Sequence, residues 1–196
     1  MFRFDRRVLN RMPARRSLDG GEPNFLGQGR DMAGNPDEWA VWLDRHGAAL
    51  VLFARQRVAS RADAEDVVQD AFVRFWRTRQ RATDPAAYLY ACVKHCALDW
   101  QRGRERRSRR ERKAARPEAE PLFSGPPEQE ERRAAIEAVL RNLPDAQREV
   151  LVMKIWGGLS FPQIAEALRI SANTAASRYR YALAKLREPL AEESIS

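Results

Sequence analysis

The chain has two histidines and two cysteines in 196 residues, which narrows the chemistry open to it. Histidine is the usual proton shuttle near neutral pH, and only His46 and His95 can play that part. No Gly-rich phosphate loop and no nucleophile motif stands out, so an enzyme is disfavoured. Cys92 and Cys96 lie in one short stretch, which is not a disulfide framework. Cys92, His95 and Cys96 share one helical turn and have no plausible fourth ligand, which makes a poor zinc site. No metal, cofactor or small-molecule substrate is expected. No apolar run approaches the roughly 20 residues that span a bilayer, so membrane insertion is not expected either. There is no β-rich segment and no internal repeat.

Negative charge is outnumbered. Against 35 Lys and Arg stand 27 Asp and Glu, a formal net charge of +8 and a pI near 10.2. That balance points to a polyanionic partner, nucleic acid before an anionic membrane surface. An ordinary basic protein is the plain alternative. With 44% hydrophobic residues, part of the chain has the means to fold.

Residues 1–35 carry Gly, Pro, Asn and Arg without a period and read as a disordered N-terminal extension. The extension is Arg-rich but lacks the apolar core of a secretory signal. It passes weakly for a mitochondrial presequence, and Met32 is an alternative start. A cytoplasmic protein is the expectation. Pro36 and Asp37 then suit a helix start, and Trp39, Trp42, Leu43, Leu50 and Phe53 recur at helical spacing.

A second helix, "SRADAEDVVQDAFVRFWRTRQ", has an acidic first turn that complements the helix dipole. Its apolar stripe is Val67, Val68, Ala71, Phe72, Phe75 and Trp76. Glu65, Asp66, Gln69, Asp70 and Arg74 crowd the opposite side. Asp84 and Pro85 open a third helix, "DPAAYLYACVKHCALDWQRGRERRSRRERK", aromatic first and basic later. Residues 102–116 hold nine Lys and Arg against two Glu, a run that is commonly a solvated face. "PEAEPLFSGPPEQEE" has four prolines, five glutamates and no basic residue, so it reads as a linker.

A second helical unit follows. Ile136, Val139, Leu140 and Leu143 fall at i, i+3, i+4 and i+7. Pro144 ends that helix, and Gly157 and Gly158 stop the next. Ser160 is placed to cap a short helix with Pro162 in its first turn, and Ser171 to cap the last one. A short helix, a tight break and a longer helix make the helix-turn-helix layout.

On the last helix, Ala175, Tyr179, Ala182 and Leu186 share the side expected to pack inward. Asn173, Ser177, Arg180, Ala184 and Arg187 share the other, flanked by Arg178, Tyr181 and Lys185. Small and polar residues near the start let the backbone approach base edges, and basic residues hold phosphates. The helix dipole at Ala172–Thr174 favours a phosphate. An amphipathic helix that binds protein has the same pattern. In the front unit, "AAYLYACVKHCALDWQRGR" interleaves rings and cations, as a single-strand binding surface does. Core aromatics at helical spacing explain Tyr88, Tyr90 and Trp100 as well.

The order and wording of these segments resemble the sigma-70 family of RNA polymerase sigma factors, in its extracytoplasmic-function (ECF) group. "DAEDVVQDAFVRFW" resembles the core-polymerase-binding helix of region 2, and "AAYLYACVKHCALDWQR" the helix that melts the promoter and reads its −10 element. "LRNLPDAQREVLVMKIWGGLSFPQIAEALRISANTAASRYRYALAKLRE" resembles region 4, which reads the −35 element. The resemblance implies an all-α fold of two small helical domains joined by a flexible linker. Region 2 would span 36–102, the linker 103–127 and region 4 128–190, with a tail at 191–196.

It also implies a sigma factor that is not an enzyme. Core RNA polymerase and promoter DNA would be its partners, with an anti-sigma factor as a further one. Asp66, Gln69, Asp70 and Arg74 would bind core polymerase. Tyr88, Lys94, His95, Trp100, Arg102 and Arg104 would face the −10 element. Asn173, Thr174, Ser177, Arg178, Arg180, Tyr181 and Arg187 would face the −35 element. His95 stands where many relatives have Asn, and Tyr88 where Trp is frequent, so the −10 base preference is open. A helix-turn-helix regulator that is not a sigma factor accounts for residues 128–190 alone. An RNA-binding or structural adaptor accounts for less.

Overall fold

A computed structural model of the chain describes residues 36–79, 82–111, 121–123 and 130–192. The expected N-terminal extension, most of the Pro/Glu-rich linker and the end of the tail lie outside the described residues. Among the described residues there are seven helices and no strand: α1 (Pro36–Arg55), α2 (Arg61–Thr78), α3 (Pro85–Glu111), α4 (Glu130–Asn142), α5 (Asp145–Ile155), α6 (Phe161–Leu168) and α7 (Ala172–Glu192). None of these helices is long and apolar enough to cross a membrane.

The front unit is α1 to α3. Ser60 caps α2, its Oγ accepting from the Asp63 amide at 3.0 Å. Asp84 does the same for α3, accepting from the Ala87 amide at 2.9 Å. The stripe of α2 is buried throughout, from Val67 to Trp76, against Trp42, Leu43, Leu50 and Phe53 of α1 and Leu89, Tyr90 and Val93 of α3. Each large apolar side chain removed from water in this way contributes about 1.5–3 kcal/mol.

The rear unit is α4 to α7. Leu140, Leu143, Leu151 and Ala182 form a small core of their own. At the end of α5 the Trp156 and Gly157 amides both donate to the Val152 carbonyl, at 3.0 and 3.1 Å. Gly158 turns the chain at φ 68°, where glycine avoids the clash of a Cβ. Ser160 and Gln163 close a capping box on α6, with Pro162 in its first turn. The helix-turn-helix break runs through Arg169, which takes the left-handed conformation at φ 55°. For a residue other than glycine that costs roughly 1–2 kcal/mol. The Ile170 amide offsets part of it by donating to the Ala165 carbonyl at 3.0 Å. Ser171 then caps α7 by accepting from the Thr174 amide at 3.0 Å.

The two units pack on one another. Val150, Val152, Met153, Ile164 and Ala167 belong to the same buried cluster as the core of α1 to α3. Polar contacts cross the same boundary: Gln163 Nε2 donates to Asp84 Oδ2 at 2.8 Å, and Arg148 Nη2 to the Gln56 carbonyl at 3.5 Å. The segment set aside as linker has structure at two places. Helix α3 runs on to Glu111. Residues 121–123 are pinned: Arg55 Nη1 donates to the Pro121 carbonyl at 3.3 Å, and the Phe123 amide to Glu137 Oε1 at 2.9 Å. The Phe123 ring stacks on Trp156, with centroids 5.6 Å apart.

Candidate nucleic-acid interface

Helix α7 divides as its period predicts. Ala175 and Ala182 are fully buried, and Leu186 packs on the small core of the rear unit. Tyr179 is half-buried, its ring edge-on to Phe161 at 5.7 Å. On the other side Asn173, Arg180, Ala184, Lys185 and Arg187 are exposed, and Tyr181 is 67% exposed. Ser177 and Arg178 are half-buried at the edges of that face. Ser177 Oγ donates to the Asn173 carbonyl at 2.7 Å, which leaves the Ser177 oxygen free to accept. Thr174 is less available: its amide and its hydroxyl are both engaged with Ser171, at 3.0 and 2.8 Å. The result is a convex strip of cations and small polar tips, backed by a buried face that fixes its orientation.

The six residues expected at the −10 element do not converge on one point. Tyr88, His95 and Arg102 recur every seven residues and so share a face of α3. His95 and Arg102 are exposed. Tyr88 is half-buried, with its hydroxyl 3.0 Å from Thr78 Oγ1 and its ring tilted against Phe75. Trp100 falls to one side of that face. It helps line a groove of about 440 Å³ between α2 and α3, together with Asp66, Asp70, Arg74, Cys96 and Asp99. The Arg104 guanidinium lies 5.6 Å over the Trp100 ring. Lys94 falls to the other side, with Nζ 2.9 Å from Glu149 Oε2 on α5.

The face of α2 expected to meet polymerase is solvent-facing. Asp66, Asp70 and Arg74 are exposed and Gln69 half-buried. Asp99 sits between two cations, 3.6 Å from Arg74 Nη1 and 3.6 Å from Arg102 Nη1. Exposed pairs of that length contribute little, typically under about 1 kcal/mol, and are readily exchanged for a partner's charges.

Burial pushes the Cys92 thiol up to about 11, with Cys96 nearby adding to the effect and Arg74 and a Tyr88 hydrogen bond opposing it. Cys96 is raised too, first by burial. Thiols held protonated are weak metal ligands and nucleophiles. Among the described residues no group of three or more His, Cys, Asp or Glu could hold a metal ion.

Sequence reasoning missed Glu149 and Arg57. Glu149 is 4% exposed and takes an ion pair from Arg57 as well as from Lys94. Its position was the available signal. Val152 and Met153, three and four residues on, are fully buried, so Glu149 stands on an apolar stripe and needs a partner.

The family model described as Sigma-70 region 2 matches residues 42–107, and that for Sigma-70, region 4 matches residues 133–186. The RNA polymerase sigma-E factor of Streptomyces coelicolor is 32% identical over 160 residues, covering 78% of this chain and 86% of the relative. The ECF RNA polymerase sigma factor SigL of Mycobacterium tuberculosis is 32% identical over 165 residues, covering 78% and 89%. In fold, the chain is similar to the sigma factor RpoE from Bartonella quintana, solved with the anti-sigma factor NepR, at a TM-score of 0.58 and 21% identity over 79% of this chain and 97% of that one. The chain belongs to the sigma-70 family, in its extracytoplasmic-function group, and is a sigma factor, which binds core RNA polymerase and directs promoter-specific initiation of transcription.

Proposed function

We propose that the exposed side of α7, the polar face of α2 and the −10 residues spread around α3 divide the work of initiation. The observation that carries this is the exposed strip of α7, where Arg180 and Arg187 stand clear of the protein while the opposite side of the helix is buried. In this reading Asn173, Thr174, Ser177, Arg178, Arg180, Tyr181 and Arg187 face the −35 major groove. Tyr88, Lys94, His95, Trp100, Arg102 and Arg104 serve the −10 strand. An unstacked base there costs a few kcal/mol to extrude, offset by a pocket that stacks and hydrogen-bonds it. Asp66, Gln69, Asp70 and Arg74 bind core polymerase. Region 2 spans 36–102, the linker 103–127 and region 4 128–190.

The protein works as an initiation factor without catalysing a reaction itself, and it acts in the cytoplasm, where its polymerase is. An anti-sigma factor is a further partner. The shared fold with the Bartonella quintana factor, captured with one, motivates that assignment.

Purified chain added to core polymerase is expected to start transcripts at a defined promoter with no other sigma factor present. A helix-turn-helix regulator would give no start without one, and that result would sink the reading. Reversing the charge at Asp66 and Asp70 together is expected to weaken core binding several-fold in a pull-down. Their exposure keeps the change in fold stability within about 0.5 kcal/mol per site. Unchanged core affinity would remove this face from the polymerase contact.

His95→Asn tests the −10 assignment. The exposed imidazole and an amide present different donors and acceptors to a base edge. A randomised −10 library is expected to return a different preferred base, with overall binding modestly reduced. The same preference from both proteins would show that His95 does not read.

A further inference from the structure

The exposed side of α7 carries one large ring. Tyr181 is the most open of the large apolar and aromatic side chains among the described residues, ahead of Val41 and Ile155. It makes no hydrogen bond or ring contact with any described residue. Other rings of the rear unit are engaged, Tyr179 on Phe161 and Trp156 on Phe123. Tyr181 holds nothing together.

Its place on the helix decides what it can reach. Ser177 lies one turn before it and Ala184 three residues after, on the same side of α7. Both are short, so the ring stands above them. Arg178 and Lys185 flank it on its other side, placed for the DNA backbone. A major groove offers such a ring hydrogen-bonding base edges and one apolar group, the thymine 5-methyl. Ring against a donor or acceptor takes that polar group out of water without a partner. Ring against methyl removes two apolar surfaces from water together. The phenol oxygen, at the far end of the ring, stays hydrated.

We propose that Tyr181 sets specificity at one −35 position by packing its ring on the 5-methyl of a thymine. Arg180 is turned about 100° from it around the helix, so the two meet different base pairs. This role rests on the −35 assignment of α7 and adds the chemical group that is read.

The chain assembled on core polymerase, offered a randomised −35 library, should select thymine at one position on either strand. Each selected thymine is then replaced by deoxyuracil, which lacks only the methyl. At the position read by Tyr181 the replacement should weaken binding about fourfold, the loss expected from returning one methyl group to water. Tyr181→Phe should keep both the selection and the uracil penalty, because the ring does the reading. Tyr181→Ala should bind thymine and uracil alike at that position. The thymine-to-uracil ratio is internal to each protein, so a change in overall affinity or stability leaves it readable.

A selected element with no thymine on either strand overturns the role of Tyr181. So does a uracil penalty that Tyr181→Ala keeps at every thymine, or one that Tyr181→Phe loses, which would make the hydroxyl the reader. In those cases −35 selection that is still altered by Arg180→Ala leaves α7 in the groove. Selection unaltered by all three substitutions removes α7 from the −35 element altogether.

Discussion

Arg180→Ala is expected to relax the sequence preference at one −35 position, and Arg187→Ala to weaken binding to every −35 sequence alike. Both guanidinium groups are exposed on the same side of α7, so the difference comes from place along the helix. Arg180 lies nearer the N-terminal end, the part of a recognition helix that reaches base edges. A bidentate arginine–guanine contact supplies about 1–3 kcal/mol of discrimination, roughly 5- to 150-fold between matched and mismatched base. Arg187 lies two turns on, where the helix leaves the groove and meets phosphate. Its loss should lower the slope of log affinity against log salt by about 1.

The measurement is −35 affinity across base variants and salt, with the full chain assembled on core polymerase. An isolated rear fragment is unsuitable because Val150, Val152, Met153 and Ile164 complete their burial against the front unit. Equal losses from both substitutions on every base variant would mean that phosphates alone hold the helix, and Arg180 would lose its reading role. Tyr179→Ala serves as the contrast. Full burial would predict a loss of about 3–5 kcal/mol. The ring is only half-buried against Phe161, so a loss of about 2 kcal/mol is expected, in stability rather than in base preference.

What was legible in the sequence was local. The stripe on α2, the caps at Ser160 and Ser171, and the two sides of α7 follow from helical periodicity and hydrogen bonds between residues three or four apart. Each appears where the spacing put it. The joint between the units was not legible, because Arg57 and Glu149 pair across a separation of 92 residues and no period connects them. The −10 set shows the same limit within one helix. Ring and charge content marked all six residues, and the seven-residue spacing of Tyr88, His95 and Arg102 already puts those three on one face of α3. What the other three meet is not in the spacing. The packing of α3 sends Lys94 to Glu149 and Trp100 to the groove beside α2. Arg169 escaped for another reason. A left-handed residue at a helix end is usually glycine, and nothing in an arginine's identity announces that the turn imposes it.

Gly157→Ala is expected to cost about 2–3 kcal/mol of stability, near the upper end of what overpacking by one methyl does. An added Cβ would come within 2.6 Å of the Met153 carbonyl oxygen and 2.6 Å of the Tyr90 hydroxyl. The first contact is with backbone of the helix that Gly157 ends, and it has little room to give. The second is across the joint and can be removed. Tyr90→Phe alone should be neutral or stabilising by up to about 1 kcal/mol, since the hydroxyl is buried without a partner among the described residues. In the double variant the loss of the Tyr90 hydroxyl relieves only its own share of the clash, so the two changes should couple by about 0.5–1 kcal/mol in a urea-denaturation cycle. Strict additivity would show that the Tyr90 hydroxyl does not press on this turn.

Alkali gives an independent reading of the same group. Burial pushes the Tyr90 phenol up from its ordinary 10.0, and the Cys92 thiol up from 9.0 to about 11. Above those ordinary values the unfolded chain releases protons that the folded chain keeps, so stability falls as pH rises. The wild-type urea midpoint should drop between pH 9 and 11 through Cys92, and further above pH 10 through Tyr90. Tyr90→Phe should keep the first decline and lose the second. An unchanged profile above pH 10 would mean that the Tyr90 hydroxyl is hydrated in the native chain, and that the joint between the units is already open there.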